Sequence, residues 1–218
     1  IVGASFPAVG FLSDGLPPLL LTALRFAIAA LAMVPMVRGR EDWRPNLPAL
    51  LLYSLMGLCL AGFFGIMFWA AHRVTALSMS ALFVTMPLIA FGLGRVLGVE
   101  PRASGLLAIL GLGALGALAL AMAQTGGDFS QLQFGWNEAL FFVGCIASAL
   151  YPVLSKWGLA RNLLSKDAAA RTFWSLAGGG VLIAVAGLVL EPVGALTQMR
   201  LSDFLLVAYL GVFSSGVT

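Results

Sequence analysis

"IVGASFP" at Ile1–Pro7 and "IASALYP" at Ile146–Pro152 carry Ile, Ala and Pro at matching places, with an aromatic residue before each proline. Both lie in apolar runs. A proline inside a helix removes a backbone hydrogen bond and bends the rod, so a proline recurring at one place in two such runs suggests a repeated unit. Two further matches follow in the same order. Arg25 comes 18 residues after Pro7, and Arg171 comes 19 after Pro152. "MGLCLAGFF" at Met56–Phe64 matches "LGVFSSGVT" at Leu210–Thr218, with Gly57 and Gly62 in register with Gly211 and Gly216. Ordered landmarks of this kind read as an internal repeat.

Composition sets the medium. Of the 218 residues 61% are hydrophobic and 10% charged, against roughly 25% charged in a soluble domain. A water-soluble globule is excluded. Crossing a hydrocarbon core of about 30 Å takes roughly 20 apolar residues, and such runs recur near Leu16–Val37, Ala49–Ala71, Val74–Gly94, Gly105–Ala123, Trp136–Trp157 and Ala168–Leu190. Shorter runs stand at Ile1–Leu12 and Phe204–Thr218, which gives about eight helices of an all-α polytopic membrane bundle. The first run has no basic leader before it and no small-residue cleavage site after it, so it reads as a span and not as a secretion signal. Cys59 and Cys145 fall deep within spans, where a thiol is a small hydrophobe.

The basic residues give orientation. Arg38, Arg40, Arg44, Arg95, Arg102, Lys156, Arg161, Lys166 and Arg171 fall in alternate loops, with only Arg73 and Arg200 in the others. Nine against two places the first set in the cytoplasm and makes the first helix run outward. Topology accounts for the net charge of +3. No basic patch with interleaved aromatics points to nucleic acid. Trp43, Trp69, Trp136 and Trp157 lie near span ends, where indole rings settle at the interface.

The repeat then divides the chain into a first unit over 1–123, a periplasmic linker over 124–134 and a second unit over 135–218. The first unit holds five spans, an odd number, so the second enters the membrane inverted, as in many secondary transporters with a midplane site between repeats. Completing both units requires about ten residues before Ile1, and roughly 60 residues and two spans after Thr218. A proline is expected about 23 residues beyond Thr218, mirroring the Phe64 to Pro87 interval. Inversion puts Pro7 and Pro152 near opposite membrane faces, as paired flex points for an outer and an inner gate or as static kinks that improve packing.

Several stretches resemble a known family. "LPPLLLTALRFAIAALAMVP", "GLCLAGFFGIMFWAAHRVTALSMSALFVTMPLIAFGLGRVLGVEP" and "SGLLAILGLGALGAL" are similar to the first half of the EamA-type drug/metabolite transporter superfamily. "FGWNEALFFVGCIASALYPVLSKWGLAR" through "YLGVFSSGVT" is similar to its second half. The resemblance implies ten helices in two inverted five-helix units, cytoplasmic termini in a bacterial inner membrane, and export of amino acids, other small metabolites or drugs. No HExxH run or cysteine cluster offers a metal site, and no cofactor is expected. "GVEP" at Gly98–Pro101 departs from the family's usual Gly-Glu-Arg run.

Candidate solute contacts are the aromatics Phe6, Phe63, Phe83, Tyr151 and Trp174 with Ser80, Thr85, Ser148, Ser214 and Ser215, since apolar walls with a few polar groups suit a midplane pocket. Pro87 matches a family proline on a helix bordering the cavity. Arg25 sits about nine residues into its span, where insertion scales charge an arginine roughly 2.5–3.5 kcal/mol. It is either a counter-charge for an anionic solute group or a structural anchor. Gly57, Ala61 and Gly65, echoed by Gly211 and Ser215, form a small-residue face for close packing or a narrow path. Glu138 opens a helix and is expected to cap it. His72 reads as an interfacial histidine.

No "GxxxxGK[ST]" cradle for nucleotide phosphates occurs. An intramembrane serine protease needs a histidine beside its serine, and the sole histidine stands at the membrane boundary. No ring of charges marks a channel filter. A carrier for a small organic solute remains the leading reading, with the solute and the bilayer as its partners. A nucleotide-sugar or sugar-phosphate carrier is the alternative, disfavoured because Arg25 alone supplies intramembrane positive charge. Solute, driving force and oligomeric state are not encoded in these motifs.

Overall fold

The computed structural model describes residues 11–13, 15–39, 44–70, 73–100, 104–124 and 135–216. Among these all regular structure is helical: α1 (Pro18–Val37), α2 (Leu47–Ala70), α3 (Ala76–Val84), α4 (Met86–Val96), α5 (Ser104–Gln124), α6 (Trp136–Ala160), α7 (Ala168–Leu190), a 3₁₀ turn (Val193–Gln198), α8 (Leu201–Tyr209) and a π-helical stretch (Leu210–Gly216). Five stretches in the described residues are long and apolar enough to cross a bilayer: Pro18–Val37, Leu47–Ala70, Leu77–Val96, Trp136–Ala160 and Ala168–Leu190. Leu47, Leu51, Leu55 and Leu58 on α2 and Val181, Val185, Leu188 and Val189 on α7 are exposed. In water such faces would be a liability; in lipid they are the solvent-facing surface. The chain is an all-α polytopic membrane protein.

Local chemistry sets the ends. Pro18 occupies the first turn of α1, where its missing N–H costs nothing. Asn46 Oδ1 accepts from Ala49 N–H at 2.9 Å to start α2, Thr75 Oγ1 accepts from Ser78 N–H at 3.2 Å to start α3, and Asp167 Oδ1 accepts from Ala169 N–H at 2.9 Å to start α7. Glu138 Oε2 accepts from Gly135 N–H at 2.8 Å, so its carboxylate caps α6. The span expected over Val74–Gly94 is two helices joined at Thr85. Pro87, lacking an N–H, cannot continue the ladder of α3, and Thr85 Oγ1 instead donates to the Leu82 carbonyl at 2.6 Å.

α1 lies along α7, α2 packs on both α6 and α7, α4 rests on α6, and the π-helical stretch returns to α1. The main core joins Phe26, Phe63, Phe64, Met67, Phe141, Leu176, Val207 and Leu210. A second cluster, Ala49, Tyr53, Met56 and Leu164, packs against Tyr151 and Trp174.

Burial follows a repeated register. The buried positions of α7 are Ala170, Ser175, Leu176, Gly179, Ile183 and Gly187. Each lies 150 residues after a buried position of α1: Leu20, Arg25, Phe26, Ala29, Met33 and Val37. Ala49, Tyr53, Met56 and Gly57 of α2 are matched 154 residues later by the buried Asp203, Val207, Leu210 and Gly211. Packing therefore sets Arg25 opposite Ser175, whereas the sequence landmark set it opposite Arg171. Arg171 falls one turn away, with a guanidinium N–H donating to the Ser165 carbonyl at 2.8 Å. Residue type suggested that pairing; the face each residue presents to its neighbour corrects it.

The matched glycines touch the matched backbone. A Cβ on Gly57 would stand 1.9 Å from the Ser175 carbonyl oxygen, and one on Gly211 would stand 2.8 Å from that of Arg25. Close backbone approach of this kind is how helices associate in lipid, where burial of apolar surface between helices gains little. Gly62, equally conspicuous in the sequence, faces open space.

Candidate solute path

Arg25 is fully buried. Its guanidinium lies 3.8 Å from the centroid of the Phe64 ring and 6.0 Å from that of Phe68. A desolvated cation gains about 2 kcal/mol or more over an aromatic face, which offsets much of the insertion cost. Phe63, one residue along, is buried within 5.2 Å of Phe64, 5.8 Å of Phe83 and 6.1 Å of Phe141, ring centre to ring centre. This aromatic knot fills the space between α1, α2, α3 and α6.

Among the described residues three cavities border the packed core. One of about 370 Å³ is apolar and lies between the α3–α4 break and α5, lined by Phe83, Val84, Met86, Pro87, Ile109 and Leu110 among others. A second of about 240 Å³ shares Pro87 and Leu110 with it and reaches α6 at Pro152, Val153 and Lys156. Pro87 and Pro152 thus face one space. Pro152 lies inside α6 and leaves the Ser148 carbonyl without its ladder partner, whereas Pro87 stands in the first turn of α4, where its missing N–H costs nothing. The third, of about 390 Å³, is polar and lies between the start of α2 and the α6–α7 connection, where Arg44, Asn46, Tyr53, Asn162 and Lys166 line it.

Among the described residues the candidates divide between these cavities and the packed core. Phe83, Pro87 and Pro152 line cavities. Arg25, Phe63, Ser80, Thr85, Ser148, Tyr151 and Trp174 line none of the three. Tyr151 and Trp174 pack beneath the polar cavity against Tyr53 and Leu164, Ser148 is buried on α6, and Ser80 is half-buried on α3. Phe6, Pro7 and His72, and the side chains of Ser214 and Ser215, lie outside the described residues.

Other polar residues, absent from the candidates above, tie the two halves of the chain together. Both oxygens of the Glu191 carboxylate accept backbone N–H groups of α1, from Leu19 and Leu20, at 2.9 Å each. Asp203 accepts from the Ser13 N–H and hydroxyl at 3.0 Å each and from Arg200 N–H at 2.9 Å. Tyr53 Oη accepts from Ser165 N–H at 3.0 Å, and Glu100 pairs with Lys156. The one advance signal for any of them was Glu100, which stands in the unusual "GVEP". Apart from the local Arg200–Asp203 bond, the others bond across more than a hundred residues, a separation at which local pattern is silent.

Arginine–tryptophan stacking marks the span ends. Arg73 lies 4.9 Å above Trp69 and Arg161 lies 3.9 Å above Trp157, so cationic head and indole ring sit together at the depth both favour.

Comparison with known proteins gives a consistent answer. The chain is 28% identical over 217 residues, 99% of its length and 67% of the relative's, to the uncharacterized inner membrane transporter YedA of Escherichia coli (strain K12). The same figures hold for YedA of Escherichia coli O157:H7. A solved crystal structure, titled only as that of a protein, shares the fold at a TM-score of 0.64 and 21% identity, over 98% of this chain and 70% of that one. Residues 1–122 match the EamA-like transporter family. With more than half its length matched, this polytopic chain belongs to the EamA-like transporter family and is a membrane transporter.

Proposed function

We propose that the chain exports small organic solutes, amino acids or related amphiphiles, across a bacterial cytoplasmic membrane by alternating access between two inverted five-helix units. The carrying observation is the repeated burial register, in which Gly57 seats on the Ser175 carbonyl while its counterpart Gly211 seats on the Arg25 carbonyl. Two equivalent crossings let one unit rock on the other, and exchanging their conformations turns an outward-open path into an inward-open one. Unit boundaries at 1–123, 124–134 and 135–218 and a cytoplasmic N-terminus complete this reading; the excess of basic residues on one set of loops supports the orientation. Pro152 beside a cavity supports its role as a flex point, with Pro7 its counterpart. Arg25, stacked on Phe64, is an anchor of the core in this scheme.

The test is counterflow into liposomes holding the purified protein and unlabelled amino acids, following labelled aromatic, small neutral and sulfur-containing members. Saturable accumulation of one group is the expected result and separates a carrier from a channel. No counterflow across the panel refutes the amino-acid reading and directs the search to cationic drugs and sugar derivatives.

A further inference from the structure

The walls of the 240 Å³ cavity between α4, α5 and α6 are apolar apart from Glu100 and Lys156, which pair with each other. Among the described residues no other charged side chain lines it. The two partners come from distant parts of the chain, Glu100 from the α4–α5 connection and Lys156 from α6 one turn beyond Pro152. The backbone is built to aim the carboxylate. Gly98 adopts a left-handed φ of +70°, and the chain turns so that Val99 and Glu100 N–H both donate to the Gly94 carbonyl, at 2.8 and 3.2 Å. Gly94 itself leaves room for the passing stem, since a Cβ there would stand 2.6 Å from Glu100 Cγ.

Lys156 is 58% exposed and Glu100 17%. A pair so placed adds little stability, because water competes for both groups. It opens cheaply to a ligand that replaces each partner in kind. A lone cation would satisfy Glu100 and strand Lys156, and a lone anion would do the reverse. A zwitterion satisfies both. The two charges of an α-amino acid are borne on one carbon, a spacing matched to side chains already in contact, and its side chain would meet the apolar walls at Pro87, Phe91 and Leu110.

We propose that Glu100 and Lys156 are the head-group clamp for a free zwitterionic solute with a large apolar side chain, the ammonium held by Glu100 and the carboxylate by Lys156. The clamp rests on the solute-carrier reading above and adds to it the atoms that recognise the solute. It also gives the connection at Gly94–Glu100 a purpose, since each backbone feature there serves to place one carboxylate.

The probe is labelled phenylalanine, bound at equilibrium to the purified full chain in detergent, with phenethylamine and hydrocinnamate as competitors lacking the carboxylate and the ammonium. The wild-type protein is expected to bind phenylalanine roughly tenfold or more tightly than either competitor, the usual worth of a charge-assisted hydrogen bond. Lys156→Gln should erase the preference over phenethylamine and keep that over hydrocinnamate; Glu100→Gln should do the opposite. Lys156→Arg should restore discrimination, which controls for folding. Equal loss against all three compounds, no change, or no binding of phenylalanine by the wild type overturns the clamp. Preferences that follow the phosphatidylethanolamine content of added lipid, and not the solute, also overturn it by naming a lipid as occupant. Crossed preferences in detergent without counterflow in liposomes would refute the carrier reading alone, while counterflow indifferent to both variants would refute the clamp alone.

Discussion

Substituting Gly57 with alanine tests the helix crossing on which the bundle is built. The added methyl would stand 1.9 Å from the Ser175 carbonyl oxygen, 2.6 Å from Gly179 N and 2.8 Å from Gly179 Cα. All three are backbone atoms, so no side chain can rotate away. Reaching an ordinary contact of 3.4 Å requires α2 and α7 to part locally by about 1.5 Å. Dispersion between neighbours falls steeply with separation, and a gap of 0.5–1 Å already forfeits a quarter to a half of the attraction. The cost belongs at the upper end for overpacking, about 3 kcal/mol, which at 2–4 °C per kcal/mol for a chain of this length lowers Tm by about 6–12 °C. Gly179→Ala should behave alike, since its methyl would meet the Gly57 carbonyl at 2.4 Å. The double variant should cost less than the sum, because helices already parted accept the second methyl. Gly211→Ala, at 2.8 Å from the Arg25 carbonyl, should be milder, and Gly62→Ala, with nothing within 4 Å, should be neutral or slightly stabilising. The assay is thermal denaturation of detergent-purified protein followed by size-exclusion chromatography. Gly62→Ala as damaging as Gly57→Ala, or Gly57→Ala indistinguishable from wild type, would refute the reasoning.

Two further outcomes follow. Arg25→Gln should cut the amount of folded protein in the membrane while leaving flux per folded molecule near wild type, because the guanidinium over Phe64 anchors packing; Arg25→Lys should not rescue the yield, since an ammonium lacks the flat stacking surface. Membrane quantification alongside counterflow distinguishes this from a solute-binding arginine, whose loss would lower flux at normal yield. Glu191→Gln keeps one acceptor oxygen for the α1 N–H groups but loses the charge, and should lower Tm by roughly the equivalent of 1 kcal/mol; Glu191→Ala, which leaves both Leu19 and Leu20 N–H unmet, should cost about twice that. Equal Tm for the two variants would show that the carboxylate does not hold α1.

The amino-acid sequence by itself determined the medium, the helical class and five of the spans, because crossing lipid demands long apolar helices and water tolerates none of them exposed. It also suggested a repeat, in the prolines at 7 and 152 and the glycines at 57 and 211, of which Pro7 lies outside the described residues, and Glu138 was legible as a cap because its partner lies three residues away. Tertiary structure decided the rest. It separated Gly57, wedged against Ser175, from Gly62, where an added methyl would meet none of the described residues within 4 Å, although both are the same residue on the same helix. It moved the counterpart of Arg25 from Arg171 to Ser175, set Arg25 over an aromatic ring, split Val74–Gly94 at Thr85, and brought Glu100 to Lys156 across Pro87 and Pro152. Periodicity and propensity act within a few turns of one helix. Which face meets which neighbour, and how closely, depends on packing among helices far apart in the chain.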